Sequence, residues 1–465
     1  MTVNKRLFKW TVLILTIFVV LLLSFNMYQA GWLWPAKRVV KSPEMGNRIL
    51  IIAPHPDDET LAMGGIIQQA LKSGKKVQVV VVTSGDGFSK AVTENYGIKS
   101  PKPEDYQRLG IDRHNETVSA LQMFGVSKEK IIFLGYPDKG TIKLWESNWD
   151  LNNPHKGLNG STFSPYSFSY KKNAPYAGEN LVKDLIQIIQ KFNPTDIIYP
   201  DENDQHNDHW TANAFVQYAL AKIKYDVKEW RYLVHLGDYP WPWQYSPDLP
   251  LYPPQALKEL GMKWAYFPLS TDEELKKYQA IKQYHTQLKV MADFLKGFAR
   301  KNELLIVNEE MFLPENKTVI LKSPVSNKIF EGRYTEAGLE GVIQGATVES
   351  LSIKRQQSNL IITLKTKGDI KKEMLYRLNI RFFHDNGVKR LDLGVLNNKL
   401  SAALASSESI SVPVGSVLSI KNKEISVVMP SDILKGSNSL LLYAETIKKG
   451  RKLDKTACLL LHVNK

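Results

Sequence analysis

Two short polar runs hold most of the residues able to do chemistry in this 465-residue chain. The first is Pro54-His55-Pro56-Asp57-Asp58-Glu59, an imidazole followed by three acids. The second is Asp201-Glu202-Asn203-Asp204-Gln205-His206-Asn207-Asp208-His209. Taken together they offer two neutral imidazoles and a carboxylate, the donor set of a catalytic zinc site that leaves one position open for water. Taken singly, each has a plainer reading, because acids at the start of a helix cap it and complement its dipole. The presence of two such runs in one chain favours the metal.

The elements around them decide whether they can meet. Arg48-Ile-Leu-Ile-Ile-Ala53 is almost continuously apolar and ends at a proline, the pattern of a buried parallel strand. Leu61 to Lys72 has helical spacing and Lys76 to Thr83 is again β-branched, which makes a βαβ unit. Asp196-Ile-Ile-Tyr-Pro200 is a second short buried strand, with a helix from Trp210 to Lys224 after the polar run. Both runs therefore lie where strands end and helices begin, the place where open α/β sheets keep their ligands. The pattern further predicts helices over Ile111–Phe124 and from Leu181 to Phe192, strands over Ile131–Leu134 and Tyr232–His235, and a last long helix from Glu273 to Phe298. Ser89 to Gly110 reads as a polar excursion. Ser84-Gly85-Asp86-Gly87-Phe88 reads either as a pocket-lining turn or as a plain strand end.

At these residues the chain resembles the LmbE-like (PIG-L) zinc-dependent de-N-acetylases, whose two signature loops look like His55-Pro-Asp-Asp-Glu59 and His206-x-Asp208-His209. Arg113-His-Asn-Glu116 with Phe124-Gly125, Phe133-Leu-Gly-Tyr-Pro137-Asp138, and Tyr284-His285-Thr286-Gln287 follow in the expected order. The resemblance covers about residues 46 to 312. It implies a Rossmann-like, mostly parallel sheet flanked by helices, and Zn2+ or another divalent metal held by His55, Asp58 and His209. It further implies Asp57 as general base and His206 as stabiliser of the oxyanion, best as an imidazolium held by Asp204 or Asp208. Arg113 and Asp138 match positions near substrate hydroxyls, and His285 belongs to a region that helps complete the site. Glu59 is expected to cap the helix or support the loop. The family commonly has proline where Asn207 stands, which removes no ligand. The implied substrate is an N-acetylated amino sugar. The alternatives are a deacetylase of a small N-acetylglucosaminyl conjugate and a non-catalytic, membrane-anchored glycan-binding protein.

The ends of the chain carry other signals. Lys5, Arg6 and Lys9 in a cytoplasmic tail (1–9) precede an apolar run from Trp10 to Phe25. Residues 10–30 are thus expected to be a single-pass anchor with the rest of the chain outside the cell membrane, a cleaved signal peptide and secretion being the competing reading. Trp32 and Trp34 extend it towards an interface, and a basic linker (31–45) with Lys37, Arg38 and Lys41 suits lipid headgroups. The net charge of +14 fits an anionic cell-wall polymer or a merely basic surface. No nucleic-acid motif is visible, so nucleic acid is not an expected partner. The single cysteine, Cys458, excludes an internal disulfide framework and reads as a small core residue.

Between Pro137 and Ala177 a long segment with Trp145, Trp149, Phe163, Tyr166, Phe168 and Tyr170 either walls a saccharide cleft or packs down on itself. Tyr239-Pro-Trp-Pro-Trp243 reads either as another aromatic rim or as ordinary loop packing. Past the 46–315 domain, Asn359–Lys365, Tyr376–Phe383, Glu424–Met429 and Leu440–Ala444 are β-type runs without helices between them. They predict an antiparallel, sandwich-like accessory domain over 316–465, acting as a carbohydrate-binding module or a spacer.

Overall fold

The structure is a computed structural model that describes residues 5–29, 39–41, 43–323 and 344–463. In chain order the first part comprises α1 (Lys5–Gln29), β1 (Val39–Lys41), β2 (Arg48–Ala53), α2 (Asp58–Lys72), β3 (Lys76–Thr83), α3 (Ser89–Tyr96), α4 (Pro103–Phe124), β4 (Ile131–Tyr136), α5 (Thr141–Glu146) and α6 (Gly178–Phe192). β5 (Asp196–Pro200), α7 (Asn207–Ile223), β6 (Lys228–Tyr232), β7 (Trp264–Pro268), α8 (Thr271–Ile281), α9 (His285–Lys296) and β8 (Asn302–Val307) complete it.

The eight strands form one sheet in the order β1-β7-β8-β6-β5-β2-β3-β4, parallel except where β8 runs against β6 and β7. Continuous apolar character lets β2 and β5 bury both faces: Ile49 and Ile51 point into one hydrophobic layer, Leu50 and Ile52 into the other. The chain leaves β2 towards β3 and β4 on one side and returns with β5 on the other. The crevice at the carboxyl ends of β2 and β5 is therefore the topological switch point, where such sheets bind ligands. The two polar runs leave from those two ends.

The second part is β9 (Thr318–Lys322), β10 (Val348–Gln356), β11 (Asn359–Thr366), β12 (Leu375–His384), β13 (Gly387–Leu396), β14 (Lys399–Ala403), β15 (Val417–Lys421), β16 (Glu424–Pro430), β17 (Ser437–Lys448), β18 (Arg451–Lys455) and β19 (Leu459–His462). A five-stranded sheet, β15-β16-β11-β10-β9, faces a six-stranded one built on β14-β13-β12-β17-β18 with β19 against β17. All the pairings are antiparallel, and Leu351, Ile362, Val427, Leu378 and Leu442 fill the space between the sheets. The other face of the six-stranded sheet joins the core of the first part. Phe383, Leu441, Tyr443 and Cys458 lie in one hydrophobic cluster with Trp145, Trp149, Trp210, Phe215 and Tyr218.

Several expectations change. The aromatic segment after Pro137 holds Trp145 and Trp149 fully inside, packed on Phe215 and Tyr218, so these rings build the interface with the second part and line no cleft. The predicted last long helix is two helices broken at residues 282–284. The strand expected at Tyr232–His235 instead ends at Tyr232. The side chains of α1 from Val12 to Leu23 are exposed. Among the described residues no helix is long and apolar enough to cross a membrane, so the anchor expected over residues 10–30 finds no support there. Trp32, Trp34, Lys37 and Arg38 lie outside the described residues.

Candidate active site

The loop leaving β2 and the N-terminus of α7 bring three donor atoms together. His55 Nδ1 lies 3.2 Å from Asp58 Oδ2 and 3.2 Å from His209 Nε2, and His209 Nε2 lies 3.1 Å from Asp58 Oδ2. A tetrahedral zinc ion with bonds of about 2.0–2.1 Å needs ligand atoms about 3.3–3.4 Å apart, so this nearly equilateral triangle, one atom per residue, fits one face of its coordination shell. The outer nitrogens of both rings face acids. His55 Nε2 is 3.2 Å from Asp208 Oδ2 and 3.3 Å from Asp138 Oδ1, and His209 Nδ1 is 3.1 Å from Asp204 Oδ2. Carboxylates behind metal-binding imidazoles fix their tautomer and orientation, so the donor set suits a metal beyond its three closest atoms. Other trios of potential ligands lie nearby, His55 with His206 and His209, Asp58 with His209 and His235, and His55 with Asp138 and Asp208, each with its ligand atoms within 4.8 Å of one another.

Charge is concentrated where water is scarce. Burial works against protonation of His209, but Asp204 and Asp58 outweigh it and raise the ring to about 9; Asp138, Asp208 and Asp58 raise His55 in the same way. Burial raises Asp58 too, yet the two imidazoles hold it well below the usual carboxylate range. Asp57 faces the opposite way. Burial pushes it up to about 8, with Asp58 and Glu59 adding to the effect and Arg113 opposing it. Two adjacent carboxyl groups are thus driven apart, one fixed as an anion and one poised to carry a proton.

Asp57 is also strained, with φ 117° and ψ −33° in a region that non-glycine residues avoid. Arg113 from α4 braces it, donating to Asp57 Oδ2 at 3.1 Å, to Pro56 O at 2.5 Å and to Gly85 O at 2.9 Å. A Cβ at Gly85, whose φ is 61°, would run into this guanidinium, so the turn after β3 needs glycine there. Glu59 is fully buried and accepts the Asp57 N–H at 3.2 Å and the Tyr284 hydroxyl, holding the loop from behind.

The remaining candidates separate on position. Arg113 is 4% exposed and committed to the loops, so the geometry makes it a brace for Asp57 in place of the expected contact with substrate hydroxyls. Asp138 accepts the Gly87 N–H at 2.9 Å and stands behind His55, again away from the expected substrate contact. His285 is exposed at the start of α9, and its neighbours do the reaching instead: Tyr284 to Glu59, and Thr286 to Glu116. The break before α9 turns Tyr284 inwards and leaves His285 outside.

His206 caps α7. Its Nδ1 accepts the Asp208 N–H at 3.2 Å, which places the ring proton on Nε2. Asp204 accepts the backbone N–H of His206 and not its ring, and Asp208 Oδ2 is 4.0 Å from the ring nitrogen Nδ1. Burial and the neighbouring imidazoles of His55, His235 and His209 drive His206 well below the ordinary imidazole range. The expected carboxylate-held imidazolium is therefore replaced by a neutral N–H donor.

Sequence reasoning missed His235, which follows β6. Its ring centroid lies 4.8 Å from that of His209, and the ring stacks on Phe294. The missed signal was the apolar Leu233-Val234 pair leading to His235 just past the end of β6, the strand that pairs directly with β5. His235 opens onto a cleft of about 400 Å³, whose other walls include Gln205, Trp243, Lys289 and Phe294. Trp243 is 41% exposed and packs edge-on against Phe294.

Residues 50–220 match the PIG-L family, GlcNAc-PI de-N-acetylase. This PIG-L-like stretch contains every donor of the triangle. The chain is 27% identical over 181 residues to the 1D-myo-inositol 2-acetamido-2-deoxy-alpha-D-glucopyranoside deacetylase of Kribbella flavida, covering 38% of this chain and 54% of that protein. The enzyme of the same name from a Mycobacterium species is 28% identical over 200 residues, or 42% and 58%. The chain thus spans little more than half the length of these curated relatives. Among solved structures, N,N'-diacetylchitobiose deacetylase from Pyrococcus horikoshii is 18% identical, covering 58% of this chain and 83% of that one with a TM-score of 0.32. The A40926 pseudoaglycone deacetylase Dbv21 is 20% identical, covering 56% and 96% with a TM-score of 0.35.

Proposed function

We propose that the protein is a metal-dependent amidohydrolase that removes acetyl from an N-acetylated amino sugar. The observation that carries this reading is the His55–Asp58–His209 triangle with the proton-carrying acid Asp57 directly beside it. When bound there, zinc supplies Lewis acidity, polarising an amide carbonyl and acidifying water. Asp57 takes the proton of the attacking water and returns it to the departing amine, a relay that suits a carboxyl titrating near neutrality. Arg113 keeps that carboxyl aimed. The His206 Nε2–H donates to the oxygen that gains charge as the carbonyl becomes tetrahedral. The sugar enters through the cleft beside His235.

The substrate on this reading is a cell-surface or exported glycan, met outside the cell membrane. The names of the curated relatives favour a second substrate class, a small N-acetylglucosaminyl conjugate. Purified protein incubated with N-acetylglucosamine oligomers, surface polymer and small glycosides, with and without chelator, tests both. The expected outcome is acetate release that stops with chelator and returns with zinc; saccharide binding without acetate would leave only a glycan-binding protein. Fractionation of cells tests the location, and recovery of full-length protein in the soluble cytoplasmic fraction would overturn it.

A further inference from the structure

The six-stranded sheet reaches the catalytic loop itself. Lys455, at the end of β18, is 3% exposed, and its Nζ donates to Asn207 Oδ1 at 3.3 Å while standing 3.6 Å from the centre of the Trp210 ring. Trp210 in turn donates from Nε1 to Thr456 O at 3.0 Å. Among the described residues no carboxylate lies within ion-pair distance of Lys455. Glu445, its partner across the β17–β18 ladder, has its oxygens paired with Arg377 and Lys452.

A buried lysine without an acid is costly, and a methionine would fill similar space without that cost. What the amine supplies and a methionine cannot is a donor for Asn207, in either protonation state. Asn207 is the first residue of α7. It lies between His206, which caps the helix, and Asp208, whose carboxylate backs His55, and two residues before His209. One bond therefore ties the β-rich part of the chain to the turn that aims three site residues.

We propose that Lys455 is a positioning residue that fixes the His206–His209 turn from the second part of the chain, so that the site is complete only when the six-stranded sheet is docked. The activity arm of its test rests on the deacetylase reading; a zinc-release arm does not. In the full-length protein, Lys455→Met and Asn207→Ala are each expected to lower kcat about tenfold with little change in KM, the effect of losing one well-placed bond to a loop. The double variant should be no worse than either single one, and Lys455→Arg should recover most of the loss. Zinc release to a coloured chelator should quicken about tenfold in Lys455→Met and in Asn207→Ala alike, whether or not acetate is produced. Melting curves establish that each variant is folded. Wild-type kcat and zinc release in folded Lys455→Met would overturn the proposal, as would a Lys455→Met effect that persists undiminished in the Asn207→Ala background. Absence of acetate from the wild-type protein, with zinc release still accelerated in both variants, would count against the deacetylase reading and leave the positioning role standing.

Discussion

Lys455 makes a second prediction, about stability, whose size follows from its burial. Removal from water lowers its ammonium to about 7 from an ordinary 10.5, and Glu445, Cys458 and Asp208 only partly oppose this. Between those two pH values the unfolded chain holds a proton that the folded chain does not, so wild-type stability rises with pH. Below pH 7 both states are protonated, and the cost of burying the charge is fully present. Above 10.5 neither state is protonated, and the cost has gone. Each pH unit within the window contributes about 1.4 kcal/mol, and the whole window about 5 kcal/mol. Lys455→Met removes this group and leaves the others in place, so the wild-type-minus-variant difference isolates it. Urea unfolding of the full-length proteins at pH 7.5 and 9.5 should show that difference moving by about 3 kcal/mol in favour of wild type. Parallel stability curves over this range would mean that Lys455 keeps its proton when folded, and the burial argument would fail.

Four further outcomes follow from the site. Asp57→Asn should lower acetate release by about 10²–10⁴-fold while zinc content, measured by atomic absorption, stays stoichiometric; unchanged turnover would remove Asp57 from proton transfer. Asp204→Asn loosens the support of His209 and of the Val234 and His235 N–H groups, so zinc affinity measured by competition with a chelator should fall about 10–100-fold. Trp243→Ala should raise KM for oligomers several-fold and leave zinc binding unchanged, because the ring lines the cleft and touches no donor; equal kinetics on oligomers would place the sugar elsewhere. A chain cut after residue 315 uncovers the buried faces of Trp145, Trp210 and Tyr218, and is expected to aggregate on expression; a soluble, zinc-loaded product would show that the second part is dispensable.

What was legible in the sequence had local causes. The apolar runs of β2 and β5 ended at prolines, and strand period plus strand-end position were enough to put His55 and His209 at one crevice. The features that escaped it depend on contacts far along the chain. Apolar spacing continues from α8 into α9, so nothing local marks the break. What the break achieves is the Tyr284 hydroxyl on Glu59, a contact spanning 225 positions. β6 begins at Lys228 despite its charges because Glu229 accepts from Tyr199 and Arg231 donates to Glu202, partners on neighbouring elements that no periodicity could supply. The resemblance matches Arg113 and Asp138 to positions near substrate hydroxyls. Burial turns them inwards, where a strained Asp57 and an imidazole need holding.

The same distinction bears on the C-terminal sheets. Their strands were visible as antiparallel runs, and with no catalytic cluster among them they read as an appendage. Docking depends on shape, which a one-dimensional pattern does not carry. Trp145 and Trp149 sit in a segment whose composition resembles a sugar-binding wall, yet they lie in the same hydrophobic cluster as Phe383 and Tyr443, and Trp145 Nε1 donates to the Tyr443 hydroxyl at 3.2 Å. Arg390 donates to the Glu146 carbonyl, and Tyr218 to Glu408, so both sides supply polar partners to one seam. A mobile accessory module would leave such groups solvated and its aromatics paired among themselves. Burying them jointly makes the seam part of the core that carries α7. The orientation of the His206–His209 turn is then set from two directions, by β5 through the chain and by β18 through space.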